Sequence, residues 1–300
     1  MLSLLAVIIV VSLWSFPGLA GEVLPEVNIG GVSRYVESVQ YVQMEGVDPH
    51  RHSLDIYALP DSSNAPVMVW IHGGGWWRGD KSNAGRKAEF FLANGWVFVS
   101  INYRLLPEGQ HPRNVEDVSL TIGWVYRNIE RYGGDNNSIS IMGHSAGAHL
   151  ASLVATDSRY LRQIGLDLSI IRAVVLLDSA AYDIPAVTTL RGTAGFHSRV
   201  FTDNPDTQRD ASPIYHIAEN IDIPPFQLFY TRGSRPERVN PVNQLQARAF
   251  ADALVENGIL VELVDATDRT HSEINRWFGD PEDFGVTHAV LAFLNEILDN

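Results

Sequence analysis

At 300 residues, with 45% hydrophobic and 19% charged side chains, the chain is sized and composed for one globular unit with a sizeable core, not for a disordered or fibrous protein. Its 35 acidic against 22 basic residues leave a formal charge of -13, which repels a phosphate backbone and sets nucleic-acid binding aside. Cysteine is absent, so a disulfide scaffold, a thiolate zinc site and a cysteine nucleophile are all excluded.

Residues 2–13 form an almost unbroken apolar run, followed by Ser15-Phe16-Pro17 and the small-residue stretch Gly18-Leu19-Ala20-Gly21. That layout predicts a secretory signal peptide over residues 1–20, cleaved after Ala20, with residues 21–300 exported as a single domain. No Lys or Arg precedes the run, and an uncleaved membrane anchor is the alternative, although the run is short against the ~20 apolar residues of a bilayer span. No stable membrane insertion is expected once the signal is removed.

Beyond it, extended and helical patterns alternate, which predicts a mainly parallel sheet covered by helices on both faces. Residues 35–43 and 53–59 read as an opening antiparallel pair. The continuous apolar runs at 66–71 and 96–102 have the pattern of strands buried on both faces. A helix over 115–132 carries Val118, Ile122, Val125 and Ile129 at helical spacing and stops at Gly133-Gly134. Residues 139–142 form the next strand, and 173–177, 226–230 and 261–264 complete a set of eight. Helices are expected over 242–256 and 286–298. The polar, period-free stretch 185–225 is read as a small lid over the site.

The chemistry-bearing residues lie at the ends of these strands. Gly143-His144-Ser145-Ala146-Gly147 fits G-x-S-x-G between a short strand and a helix, the context in which a serine is held strained and exposed at a helix N-terminus. His72-Gly73-Gly74-Gly75-Trp76 follows directly after the strand ending at Ile71. Adjacent glycines let main-chain N–H groups approach a ligand closely, so Gly74, Gly75 and Ala146 are the expected oxyanion donors.

Of the ten histidines, His271 alone follows the last strand closely and is the expected general base. Glu237 is the one carboxylate in the loop after 226–230 and is taken as the orienting acid, with Asp265 and Asp268 as alternatives. His50 and His52 are read as part of a solvated turn, and Asp135-Asn136-Asn137 as a turn into a strand, not as metal sites. Trp76 and Trp77 either wall an acyl pocket or pack beneath the lid. No metal and no organic cofactor is called for.

These pieces resemble the esterase and lipase branch of the α/β-hydrolases, similar to hormone-sensitive-lipase-like carboxylesterases and especially to secreted feruloyl-esterase-like and acetyl-xylan-esterase-like enzymes. The resemblance is carried by Leu54-Asp55-Ile56-Tyr57, His72 to Trp76, Asn102-Tyr103-Arg104-Leu105, Asp117, Tyr132-Gly133-Gly134-Asp135, Gly143 to Leu150 and His271 to Asn275. It implies the α/β-hydrolase fold and a serine carboxylesterase that cleaves small acyl esters through an acyl-enzyme. Amide cleavage of the arylformamidase or peptidase kind, and a catalytically silent binding module, are the competing readings. The chain departs from the family pattern where a G-x-x-D loop is usual, since Ser234-Arg235-Pro236-Glu237 stands there.

Overall fold

The computed structural model describes residues 26–29, 32–189, 194–219, 222–234 and 241–299. The expected signal segment, residues 1–20, lies outside them. No helix among the described residues is long and apolar enough to cross a membrane.

The frame is a sheet of nine strands. In chain order they are β1 (Glu26–Ile29), β2 (Val32–Gln40), β3 (Ser53–Ala58), β4 (Ala65–Ile71), β5 (Val97–Ile101), β6 (Gly134–His144), β7 (Ile171–Leu177), β8 (Phe226–Thr231) and β9 (Val261–Ala266). Their spatial order is β1-β2-β3-β5-β4-β6-β7-β8-β9. The first three strands are antiparallel additions, and every pairing from β5 through β9 is parallel. All eight expected strands are present, and the short β1, paired with β2, makes the ninth. β6 begins at Gly134, five residues before the apolar run, because its polar first half, Asp135 to Ser138, gives no buried-strand pattern.

Strand alternation sorts the core into two layers. Val67, Val69 and Ile71 of β4 face a layer built with α2 (Arg113–Asn128), α3 (Ala146–Thr156), α4 (Ser158–Arg162) and α8 (Pro241–Glu256), through Val118, Leu150, Val154, Leu161 and Phe250. Met68 and Trp70 face the opposite layer, where α1 (Lys87–Ala93) and α10 (Val286–Asp299) supply Phe91, Val290 and Leu294. Burial on both faces explains why the central strands read as continuous apolar runs.

The stretch between β7 and β8 is not irregular. It holds α5 (Ile184–Thr188), α6 (Ala194–Phe201), α7 (Pro205–Asp210) and a 3-10 turn at Pro213–Glu219. Asp183 and Asn204 cap α5 and α7 through their side chains, and each of these helices has proline in its first turn. Helices this short cannot show a sustained apolar period.

Register decides where the strands end. Ile71 pairs with Gly143, His144 with Leu177, and Leu177 with Phe229. The residues that follow, His72, Ser145 and Asp178, therefore emerge side by side at one edge, the usual ligand side of a parallel sheet.

A buried ion pair steadies this edge from below. Asp117 of α2 is fully buried and accepts bonds from Arg104 N and Nε (both 2.8 Å), Arg104 Nη2 (2.7 Å) and His52 Nε2 (3.1 Å). His52 is thus not in a solvated turn, because its ring is drawn inward to this carboxylate, while His50 meets Asp80 at 2.5 Å. Replacing Asp117 by Ala would strand the Arg104 guanidinium without its main partner. Urea unfolding of Asp117→Ala is expected to show a loss of about 3 to 5 kcal/mol.

Candidate active site

At the elbow between β6 and α3, Ser145 adopts φ 56° and ψ −118°, a conformation that side-chain-bearing residues rarely hold. Its N–H donates to Leu177 O at 3.1 Å, and its own carbonyl accepts from His149 N at 3.1 Å. A Cβ added at Gly143 would lie 2.3 Å from Gly147 O, and one at Gly147 would lie 2.0 Å from Ile71 O. Both flanking glycines are therefore required by close backbone approach, and the turn presents the half-buried serine side chain at the first turn of α3.

His271 is the first residue of α9 (His271–Arg276). A capping box builds that start: Thr270 Oγ1 accepts from Glu273 N, and the Glu273 carboxylate accepts from Thr270 N at 2.7 Å. His271 N donates to Gly233 O at 3.0 Å, which ties the helix to the end of β8. His144, the residue before Ser145, donates from Nε2 to His271 O at 2.8 Å, and the two imidazoles stand 4.5 Å apart. Burial first, and His271 second, lower the pKa of His144 to about 3, so it remains a neutral donor.

The carboxylate at His271 is Asp178. His271 Nδ1 donates to Asp178 Oδ2 at 2.6 Å, which leaves Nε2 as the nitrogen able to receive a proton. Asp178 is fully buried at φ 53°, one residue past β7. Thr231, the last residue of β8, supplies two further bonds, from N to Oδ1 at 2.9 Å and from Oγ1 to Oδ2 at 2.7 Å. Burial alone would raise the Asp178 pKa, but the bonds from His271, Thr231 and Asn243 outweigh it and hold it below the ordinary carboxylate range.

Glu237, the expected acid, lies outside the described residues, and the carboxylate bonded to the His271 ring is instead Asp178. This carboxylate follows β7, one strand earlier than expected, and the end of β8 donates to it. The sequence carried a usable signal, since Asp178 sits directly after the buried run 173–177 and satisfies the order serine, acid, histidine.

The triple-glycine loop lies against Ser145. A Cβ at Gly73 would come within 2.8 Å of His144 O and 3.2 Å of Ser145 Cβ. Gly74 has φ 121°, and a Cβ there would lie 2.0 Å from Arg78 O. Gly74 O accepts from Trp77 N and Arg78 N, closing the turn, and no backbone partner engages the N–H of Gly74 or Gly75 among the described residues. Ala146 N belongs to the first turn of α3, where N–H groups have no acceptor within the helix. His72 anchors the loop: its Nδ1 donates to Gly73 O at 2.8 Å, its own carbonyl accepts from Tyr103 Oη at 2.9 Å, and its ring stacks on Tyr103. Burial lowers the His72 pKa to about 4.

The two tryptophans part company. Trp76 is buried, donates from Nε1 to His149 Nδ1 at 3.3 Å and packs edge-on against Phe201 of α6. Trp77 is 57% exposed beside a cavity of about 520 Å³ that opens next to Gly75. Among the described residues no group of three or more His, Asp or Glu side chains is arranged to hold a metal. Asp135 closes its own turn, accepting from Asn137 N and Ser138 Oγ.

A serine elbow, a histidine held by a buried aspartate and a glycine loop at one edge of a mainly parallel sheet define an α/β-hydrolase. The chain belongs to the BD-FAE family, whose model matches residues 54–254. It is similar to Esterase LipC of Mycobacterium tuberculosis, 34% identical over 222 residues that cover 70% of this chain and 53% of that protein. Isoprenylcysteine alpha-carbonyl methylesterase ICME of Arabidopsis thaliana is 28% identical over 242 residues, 76% of this chain and 55% of its own. The chain thus spans about half the length of the curated relatives it matches. The crystal structure of Esterase B from Lactobacillus rhamnosis shares the fold, with a TM-score of 0.72 at 20% identity, covering 89% of this chain and 86% of that one.

With Asp178 as the group that orients His271, Asp178→Asn is expected to lower kcat/KM for p-nitrophenyl butyrate by roughly 10³- to 10⁴-fold. Glu237→Gln should remain within about threefold of the parent when the two variants are assayed together.

Proposed function

We propose that this chain hydrolyses carboxylic esters of small acyl substrates through an acyl-enzyme on Ser145. The observation that carries the reading is the 2.6 Å bond between His271 Nδ1 and buried Asp178, made beside a serine held in the elbow conformation. The names of the relatives, esterases among them, support the same class of reaction.

In the proposed cycle, Ser145 Oγ attacks the ester carbonyl while His271 Nε2 accepts its proton. The carbonyl oxygen becomes an oxyanion, received by the N–H groups of Gly74, Gly75 and Ala146, each worth about 3 to 4 kcal/mol in such a site. Collapse expels the alcohol, which takes the proton from His271, and leaves an acyl-Ser145. A water then attacks this ester with His271 again as base, and the carboxylic acid departs as Ser145 recovers its proton. Asp178 keeps the required tautomer and stabilises the imidazolium at both stages. The excursion between β7 and β8 acts as the lid in this reading, since Trp76 packs directly on Phe201.

The test joins labelling with turnover. A fluorophosphonate probe should modify the parent and not Ser145→Ala, and hydrolysis of p-nitrophenyl acetate and butyrate should fall by at least ~10⁴-fold in that variant. Turnover of formanilide and dipeptide amides faster than of the esters would overturn the ester assignment, and failure of the probe to react would overturn the enzyme itself.

A further inference from the structure

We propose that the cavity beside the oxyanion loop selects esters carrying a carboxylate, read by Arg199. The inference rests on the ester-hydrolase reading above and adds a substrate class to it.

The cavity, about 520 Å³, falls within the range of small-molecule sites. It is lined by Gly75, Trp77, Leu106, Pro107, Gln110 and Arg199, so one wall is the oxyanion loop itself and an ester held there by its carbonyl extends into it. None of these lining residues is acidic, in a chain with 35 carboxylate side chains against 22 basic ones. Several other arginines of the chain do meet carboxylates. Arg104 meets Asp117, Arg159 meets Asp157 and Asp210, and Arg269 meets Asp268 and Asp283. Arg199, among the described residues, has no such carboxylate, and its exposed guanidinium is left for a ligand.

The platform that presents Arg199 is fixed. Gln110 Nε2 donates to Arg199 O at 3.3 Å, and His111 N donates to Val200 O at 3.2 Å. These bonds hold the end of α6 against the loop that leads into α2, so the arginine is carried on pinned backbone. Across the cavity the exposed face of Trp77 offers a flat apolar wall, with the Arg78 guanidinium 5.3 Å from its ring centre and adding positive potential at the rim. A planar carboxylate suits the guanidinium fork better than a neutral group does. The overall charge of -13 would repel an anionic ester from most of the surface, which makes this local positive wall the place where one is accepted.

The experiment compares two matched pairs by kcat/KM. In the first, p-nitrophenyl hemisuccinate against p-nitrophenyl pentanoate, the acid lies on the acyl half. In the second, butyryl glycolate against propyl butyrate in a pH-stat, it lies on the alcohol half. The acidic member should lead in one pair by about tenfold. Arg199→Gln should abolish that lead, Arg199→Glu should reverse it, and Arg199→Lys should keep part of it. An unchanged circular-dichroism spectrum and unchanged labelling of Ser145 by the fluorophosphonate probe in all three variants report that the fold and the catalytic groups are intact. A parent that hydrolyses neutral esters but prefers the acid in neither pair, or a preference that survives Arg199→Gln, overturns this proposal and leaves the ester-hydrolase reading standing. Failure to hydrolyse any ester ends both.

Discussion

A carboxylate taken out of water needs its lone pairs satisfied, and at Asp178 that demand gathers three separate parts of the chain. The aspartate extends from β7, its oxygens receive the N–H and hydroxyl of Thr231 at the end of β8, and a further bond comes from the His271 ring after β9. Each donor also serves its own element. Thr231 ends a strand, and His271 begins a capped helix whose N–H is tied to Gly233. The imidazole is therefore placed by backbone at one end and by charge at the other, with a neutral His144 filling the space between its carbonyl and the nucleophile's strand.

The glycine loop depends on a comparable support from the other side. Asp117 holds Arg104, the neighbouring Tyr103 donates to His72 O, and His72 closes onto Gly73. Trp76 carries the same line onward to His149, whose Nε2 donates to Ala211 O beyond α7. The oxyanion loop, the nucleophile's helix and the excursion between β7 and β8 are thus joined by hydrogen bonds among buried groups, and a change in one is felt in the others.

What could be read from the sequence follows from what burial writes into it. The parallel strands announce themselves because both faces are covered, and the elbow and triple-glycine loop because backbone crowding admits only glycine at fixed spacings. Features made by long-range polar pairing were hidden. Asp178 has only its place after a buried strand to mark it until Thr231 and His271 fold onto it, and His52 looks solvated until Asp117 is brought beneath it. The first half of β6 is polar at every position from 135 to 138, and the helices between β7 and β8 are too short to show a period. Glu237 is the expected acid because the loop after β8 is the usual place for one, and nothing local in that loop points to the carboxylate that follows β7.

The backbone at Ser145 carries a cost that the fold gains nothing from. Its φ of 56° with ψ −118° is comfortable only for glycine, and the bonds around it would survive the loss of the side chain. A population of variants screened purely for resistance to heat or protease would for this reason drift toward glycine at that position. The serine persists only where hydroxyl chemistry is also selected, so a durable molecule and a working one are different optima of the same chain.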